Sequence, residues 1–267
     1  MESPPPKAVL AAFGLRGTPT PLSGGQGLAW HADRLVLKPA DSPEEALAWQ
    51  AGVLGRAQFN SIRVASPQPS LGGTFIVEGW QATAFCAGRH EPRRWSDTIE
   101  VGRRLHQGLA QVQRPPCLAS REDRWAVADR AAWGDTPLAP YRGAPHVARL
   151  EGSLEPVRAM PQVIHGDLTG NVLFAEGLPP AVIDLAAYWR PAEFATAIVV
   201  ADALAWEGAD ISEFKAVFEA DQFGQLLARA LLYRLIADFV GDPDTAESSA
   251  RAYAPAVDVA LRLVRII

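Results

Sequence analysis

Cysteine is scarce. Cys86 and Cys117 are the two in 267 residues, too few for a disulfide framework or a four-ligand zinc site. Lysine is scarce too: of 25 basic side chains only Lys7, Lys38 and Lys215 are lysines. A compact ammonium on a flexible stem does not replace a planar guanidinium, so each lysine calls for a reason. Positive charge in excess is also missing. The formal net charge is −5 with a pI near 5.6, which excludes the basic footprint of a nucleic-acid binder. No apolar run reaches the length of a membrane span; the longest, Ala192 to Trp206, is interrupted by Glu193 and Asp202. The opening Met1-Glu2-Ser3-Pro4-Pro5-Pro6 is acidic and proline-rich and lacks the apolar stretch of a secretory signal. A soluble, cytoplasmic protein with no membrane or nucleic-acid partner is the expectation.

Apolar residues at 48% and charged residues at 21% are ordinary for a folded domain, and the length suits one two-lobed unit or two small domains. Residues 1–20 read as a leader with at most one short helix. The glycine-rich Ser23-Gly24-Gly25-Gln26-Gly27 reads as a turn, and the apolar runs around Trp30 and Leu35-Val36-Leu37-Lys38 as a hairpin turning at Ala32-Asp33. Ser42, Pro43 and Glu45 have the spacing of a capping box, which predicts a helix to about Arg56. Two strands, Thr74 to Val77 and Trp80 to Phe85, flank Gly79.

Beyond Pro92 the period changes to that of helices. Ile99, Leu105 and Leu109 recur at helical intervals over Trp95 to Val112. Further helices are predicted over about 192–207, 212–222, 223–240 and 246–265. Within this half, the strand-like Val163-Ile164-His165, Val172-Leu173-Phe174 and Ala181-Val182-Ile183 enclose a polar turn. The expected class is α+β, with a β-rich N-terminal lobe over 1–85 and a larger helical lobe over 86–267 that carries a small β insert.

That insert holds the chemistry. Asp167 and Asn171 lie four residues apart in the turn, and Asp184 ends the next apolar run. If the strands pair as a hairpin, two carboxylates and an amide meet at one mouth. Mg²⁺ takes hard oxygen ligands and uses one or two carboxylates beside substrate phosphates, a demand that Asn171 and Asp184 meet. Asp167 is then placed to orient a hydroxyl and accept its proton. Upstream, Gly24, Gly25 and Gly27 allow backbone amides close to phosphate oxygens, and Lys38, on the following hairpin, brings a positive charge. For each of these residues the plain alternative is structural: a loop, a snorkelling lysine, a capped turn.

The run His165-Gly166-Asp167-Leu168-Thr169-Gly170-Asn171-Val172-Leu173 resembles the catalytic-loop motif of the aminoglycoside phosphotransferase and choline kinase group. Val182-Ile183-Asp184 is similar to that group's metal-binding strand end, and Leu105-His106-Gln107-Gly108 to its Leu-His helix. With Ala187-Tyr188-Trp189-Arg190-Pro191, the whole pattern resembles an actinobacterial branch. The resemblance implies a bilobal protein-kinase-like fold and an ATP- and Mg²⁺-dependent phosphotransferase acting on a small hydroxyl-bearing acceptor. It implies Asp167 as base, Asn171 and Asp184 as metal ligands, Lys38 as a phosphate contact and His165 as a brace of the catalytic loop. Adenine would lie near Ala84 to Cys86, with Phe85 and Cys86 as contacts.

Three features depart from that pattern. The group commonly has four residues between the catalytic aspartate and the asparagine, and here there are three. The helix glutamate that usually pairs with the strand lysine is not evident, Gln50 standing near its place. Tyr188-Trp189-Arg190-Pro191 replaces a Gly-Asp-Pro segment. A nucleotide-binding module with little or no transfer activity is therefore an open alternative. The acidic residues between Asp202 and Asp221 suit a cationic acceptor if they line its cleft, and otherwise form a solvated helix face.

Overall fold

The computed structural model describes residues 3–22 and 27–265. In chain order the elements are α1 (Lys7–Ala12), β1 (Thr20–Pro21), β2 (Trp30–Ala32), β3 (Leu35–Pro39), α2 (Glu44–Leu54), β4 (Arg63–Val64), β5 (Ile76–Val77), β6 (Trp80–Ala84), α3 (Trp95–Leu109), α4 (Arg124–Ala132) and α5 (Val147–Glu151). There follow β7 (Gln162–His165), β8 (Val172–Ala175), β9 (Leu178–Val182), β10 (Ala187–Arg190), α6 (Ala192–Trp206), α7 (Lys215–Phe218), α8 (Phe223–Gly241) and α9 (Pro243–Arg265). They form two units, Met1–Glu91 with Gly170–Asp184, and Pro92–Thr169 with Leu185–Ile267.

In the first unit a five-stranded sheet runs in the order β1-β2-β3-β6-β5. Period-two alternation decides its faces. Trp30, Ala32, Leu35 and Leu37 are buried, and Ala32, Leu35, Leu37 and Ala82 pack with Val9, Leu10, Phe13 and Leu15 from α1 and the turn after it. The opposite face carries His31, Val36 and Lys38, paired in register with Val36, Thr83 and Gln81 respectively. The first hairpin turns at Asp33-Arg34, one residue later than the sequence predicts. Asp33 adopts φ +50, a conformation aspartate tolerates, and its carboxylate accepts from the Arg16 and Gly17 amides at 2.9 and 3.1 Å. The second hairpin turns at Glu78-Gly79, both at positive φ, as tight two-residue hairpins require.

The helix α2 also starts differently. Pro43 is its N-cap, Ser42 Oγ donates to Asp41 Oδ1, and no capping box forms. Glu44 instead accepts the amides of Phe75 and Ile76 at 2.6 and 2.9 Å.

The sequence reading puts a boundary at 85/86 and leaves 170–184 in the helical half. The structure divides after Glu91 and groups that hairpin with the first unit. The cause is backbone pairing: β9 runs parallel to β4 while pairing antiparallel with β8, and Phe174 exchanges two backbone hydrogen bonds with Arg89.

The second unit is built around α8, whose residues from Phe223 to Ala237 are all buried, the mark of a helix enclosed on every side. Helices α4, α5, α6 and α9 pack on it. A two-stranded antiparallel ribbon joins β7 to β10, with His165 opposite Ala187, and the polar turn leaves the end of this ribbon. Among the described residues no helix is long and apolar enough to cross a membrane.

Candidate functional site

On the face of the first unit's sheet opposite its core, Lys38 Nζ donates to Asp184 Oδ1 at 2.9 Å and pairs with Asp41 Oδ2 at 2.8 Å. Burial draws the ammonium's pKa down, but Asp184 and Asp41 outweigh it and leave it raised, so the lysine stays charged. Asp41 is positioned in turn by Gln81, whose Oε1 accepts the Asp41 amide at 3.2 Å. Gln81 faces Lys38 across the β3–β6 pair, so the sheet register itself brings the acid to the base.

The β8–β9 hairpin supplies the next two residues. Ile183 N–H donates to the Asn171 carbonyl at 3.0 Å, which sets Asn171 beside the Ile183-Asp184 end. Asp184 adopts φ +48, unusual for a residue with a Cβ and the kind of backbone strain that accumulates at working sites. Its side chain is 44% exposed. The expected hairpin mouth thus forms within this unit, carrying one carboxylate and one amide.

In the second unit, His106 and His165 brace the turn that carries Asp167. His106 Nε2 accepts the His165 amide at 3.1 Å, and His165 Nδ1 accepts the Asp167 amide at the same distance. Burial, reinforced by His165, holds the His106 pKa down to about 3, so His106 is neutral and can accept. Its neutral tautomer then carries the proton on Nδ1. His165 is fully buried, in keeping with bracing.

The Asp167 carboxylate meets a residue that no local motif announces. Arg234 Nη2, from α8, donates to Asp167 Oδ1 at 2.8 Å. The same guanidinium grips Asp202 of α6 through Nε at 3.0 Å and Nη2 at 2.5 Å, and Tyr253 Oη of α9 donates to Asp202 Oδ1 at 3.0 Å. Side-chain exposure is 8% for Arg234, 6% for Asp202 and 40% for Asp167. Burial disfavours the Arg234 charge, but Asp202 and then Asp167 hold its pKa well above the ordinary value.

Of the sequence-predicted residues, Lys38, Asn171 and Asp184 therefore gather in the first unit, while His165 and Asp167 share one turn of the second. Gly24 and Gly25 lie outside the described residues. Gly27 is described, at φ +71, a left-handed conformation that favours glycine. Phe85 is partly exposed and stacks on His31, with centroids 4.0 Å apart, giving this end of the sheet an aromatic surface. Cys86 is half-buried, and burial raises its thiol pKa.

Four of the acidic residues between Asp202 and Asp221 make structural contacts. Asp202 is buried in the Arg234 pair, Glu207 accepts from the Arg93 amide and Trp95 Nε1, and Asp210 with Glu213 forms a capping box. Asp41, Gln81, Arg234 and Tyr253 were not foreseen. Asp41 had a signal, three residues after the one strand lysine. Arg234 had none, lying 67 positions from Asp167.

No family model matches the sequence, and no curated protein does. The fold, a small sheet-rich part followed by a larger helical one, is that of the aminoglycoside phosphotransferases. Spectinomycin phosphotransferase APH(9)-Ia, solved with ADP and spectinomycin, superposes with a TM-score of 0.58 at 14% identity over 96% of both chains. A thermostable mutant of APH(4)-Ia with ADP and hygromycin B gives 0.64 at 14% identity over 96% of this chain and 97% of that one. The aminoglycoside phosphotransferase of Alicyclobacillus acidocaldarius gives 0.59 at 15% identity over 99% and 96%.

Proposed function

We propose that this chain is an ATP-dependent phosphotransferase that moves the γ-phosphoryl group to a hydroxyl of a small molecule. The observation that carries the reading is the Lys38–Asp184 bridge. It unites the residue types that phosphoryl transfer needs, a cation for phosphate oxygens and a carboxylate of the sort that binds Mg²⁺. Lys38 contacts the α/β-phosphates, supported by Asp41. Gly27 lies along the phosphates, and Phe85 and Cys86 border the adenine. The fold shared with enzymes solved with ADP supports the nucleotide assignment.

Asn171 and Asp184 are the residues that would hold Mg²⁺. They fit it: both offer hard oxygens, and Lys38 takes only Oδ1 of the carboxylate, leaving Oδ2 without a protein partner among the described residues. Bound there, Mg²⁺ supplies charge neutralisation for the phosphates. Asp167 accepts the proton of the acceptor hydroxyl as that oxygen bonds the γ-phosphorus and the bond from the γ-phosphorus to the bridging oxygen breaks, releasing ADP; His165 holds the Asp167 amide and moves no proton.

The tight Asp167–Asn171 spacing favours a second reading, nucleotide binding without transfer. Calorimetric titration of ATP with and without Mg²⁺, on wild type and Asp184→Ala, followed by assay of ADP release, tests both. Mg²⁺-dependent binding lost in the variant, with turnover in the wild type, is expected. Binding without turnover would leave the second reading; no binding by folded wild type would defeat both.

A further inference from the structure

Arg234 carries more carboxylate than its own neutralisation requires. Asp202 alone, gripped through two nitrogens and itself bound by Tyr253, compensates the buried guanidinium. Yet Nη2 is shared with Asp167, a residue five times as exposed at its side chain. A purely structural ion pair has no need of that third, solvent-facing partner. We propose that Arg234 is a positioning residue for Asp167, fixing its carboxylate in the orientation that receives the acceptor proton; this rests on the phosphotransferase reading above.

The geometry supports positioning on four counts. The Asp167 backbone is anchored by His165 Nδ1 and its Oδ1 by Arg234, so the residue is held at its amide and at one carboxylate oxygen. The anchor is rigid: Arg234 stands on the buried helix α8, with its guanidinium carbon 5.5 Å from the ring centres of both Trp125 and Tyr233. The forked guanidinium alone among cationic side chains can serve two carboxylates in fixed directions. The Tyr253–Asp202 contact then links α9 to the same network. A carboxylate held in this way keeps its reacting oxygen in place without reorganisation, which is where enzymes gain most from supporting groups.

The test uses full-length protein with Mg²⁺–ATP as substrate and ADP release as readout, on Arg234→Met, Arg234→Lys and Tyr253→Phe. A misdirected base should lower kcat about 100-fold in Arg234→Met and about tenfold in Arg234→Lys, with KM for ATP within about twofold. Unchanged kcat, or a fall in kcat matched by a rise in KM and loss of thermal stability, would overturn the proposal. Arg234→Met leaves Asp202 buried without its cation and can fail to fold. Tyr253→Phe keeps the ion pair and should still lower kcat about threefold by loosening Asp202; no effect from a folded Tyr253→Phe together with a fully active Arg234→Lys counts against the proposal. A second readout is independent of turnover. The guanidinium Nη2–H resonance of Arg234, the group that donates to Asp167, assigned by its loss in Arg234→Lys, should shift in Asp167→Asn. If wild type binds ATP but releases no ADP, the transfer reading fails, and this resonance alone decides the tether: a shift upholds it and an unmoved resonance ends it.

Discussion

Lys38 Nζ reaches Asp184 Oδ1 at 2.9 Å across 146 positions of sequence. The contact exists because β3 and the β8–β9 hairpin belong to one unit, and because Asp184 turns through φ +48 at the hairpin's end. Replacing Lys38 by alanine removes the cation and leaves Asp41 and Asp184 without their shared partner. ATP affinity should fall at least about tenfold. Lys38→Arg should not restore it, since the longer side chain and planar guanidinium do not place a compact charge where the ammonium sits between Asp41 and Asp184. Calorimetric titration of ATP checks both; an unchanged Kd in Lys38→Ala would remove this residue from the phosphate site.

Beside Asp184, the acid that Lys38 pairs with is Asp41 rather than a glutamate of α2, and this separates two acids three residues apart. Asp41→Asn keeps the backbone hydrogen bond to Gln81 but weakens the hold on the ammonium; kcat/KM for ATP should fall about three- to tenfold. Glu44→Gln should leave kcat/KM within about twofold, because Glu44 is engaged with the Phe75 and Ile76 amides, and should appear instead as a lower Tm. The reverse pattern would show that Glu44 is the functional acid.

Much of this architecture could be read from the chain because it is local. The alternation Trp30-His31-Ala32 and Leu35-Val36-Leu37, the Glu78-Gly79 turn and the helical period around Leu105 each declare themselves within a few residues. So does the spacing of His165, Asp167, Asn171 and Asp184. The misreadings also have local causes. Pro43 competes with Ser42 for the cap of α2, and Asp33 accepts a left-handed turn that moves the hairpin by one residue. What stayed hidden is the long-range pairing. Parallel pairing of β4 with β9 draws 170–184 into the first unit, and Arg234 reaches Asp167 only because α8 packs beside the turn that carries it. Neither leaves a periodic signature, since both depend on which faces of distant elements meet.

Gly166 lies between His165 and Asp167, and its position is determined by space. A Cβ there would stand 2.4 Å from Cδ2 of Tyr188. That ring cannot easily move: its hydroxyl bonds Tyr233 at 3.0 Å and Arg121 at 3.3 Å, and Arg121 also lies over its face at 4.8 Å. Gly166→Ala should therefore cost about 1–3 kcal/mol by overpacking, read as a lower urea midpoint, and should depress turnover by shifting Asp167. An alanine variant of wild-type stability would mean that the Tyr188 ring is freer than its three contacts suggest.

His106 makes stability depend on pH in a direction that can be worked out. Its folded-state pKa is held near 3 by burial and by His165, against 6.5 for an unperturbed histidine. Between those values the unfolded chain binds a proton at His106 that the folded chain does not. Stability must therefore fall as pH drops from about 6.5 towards 3, by up to about 1.4 kcal/mol per pH unit from this group. Protonation would also deprive Nε2 of its lone pair and so break the bond from the His165 amide, loosening the turn that carries Asp167. In His106→Gln the side-chain oxygen can still accept that amide while the titration disappears. Urea midpoints measured from pH 7 to pH 5 should then decline more gently in the variant than in the wild type, the difference between the two curves cancelling the other titrating groups. Parallel curves would mean that His106 takes up its proton in the folded state, and the neutral-acceptor role assigned to it would fall.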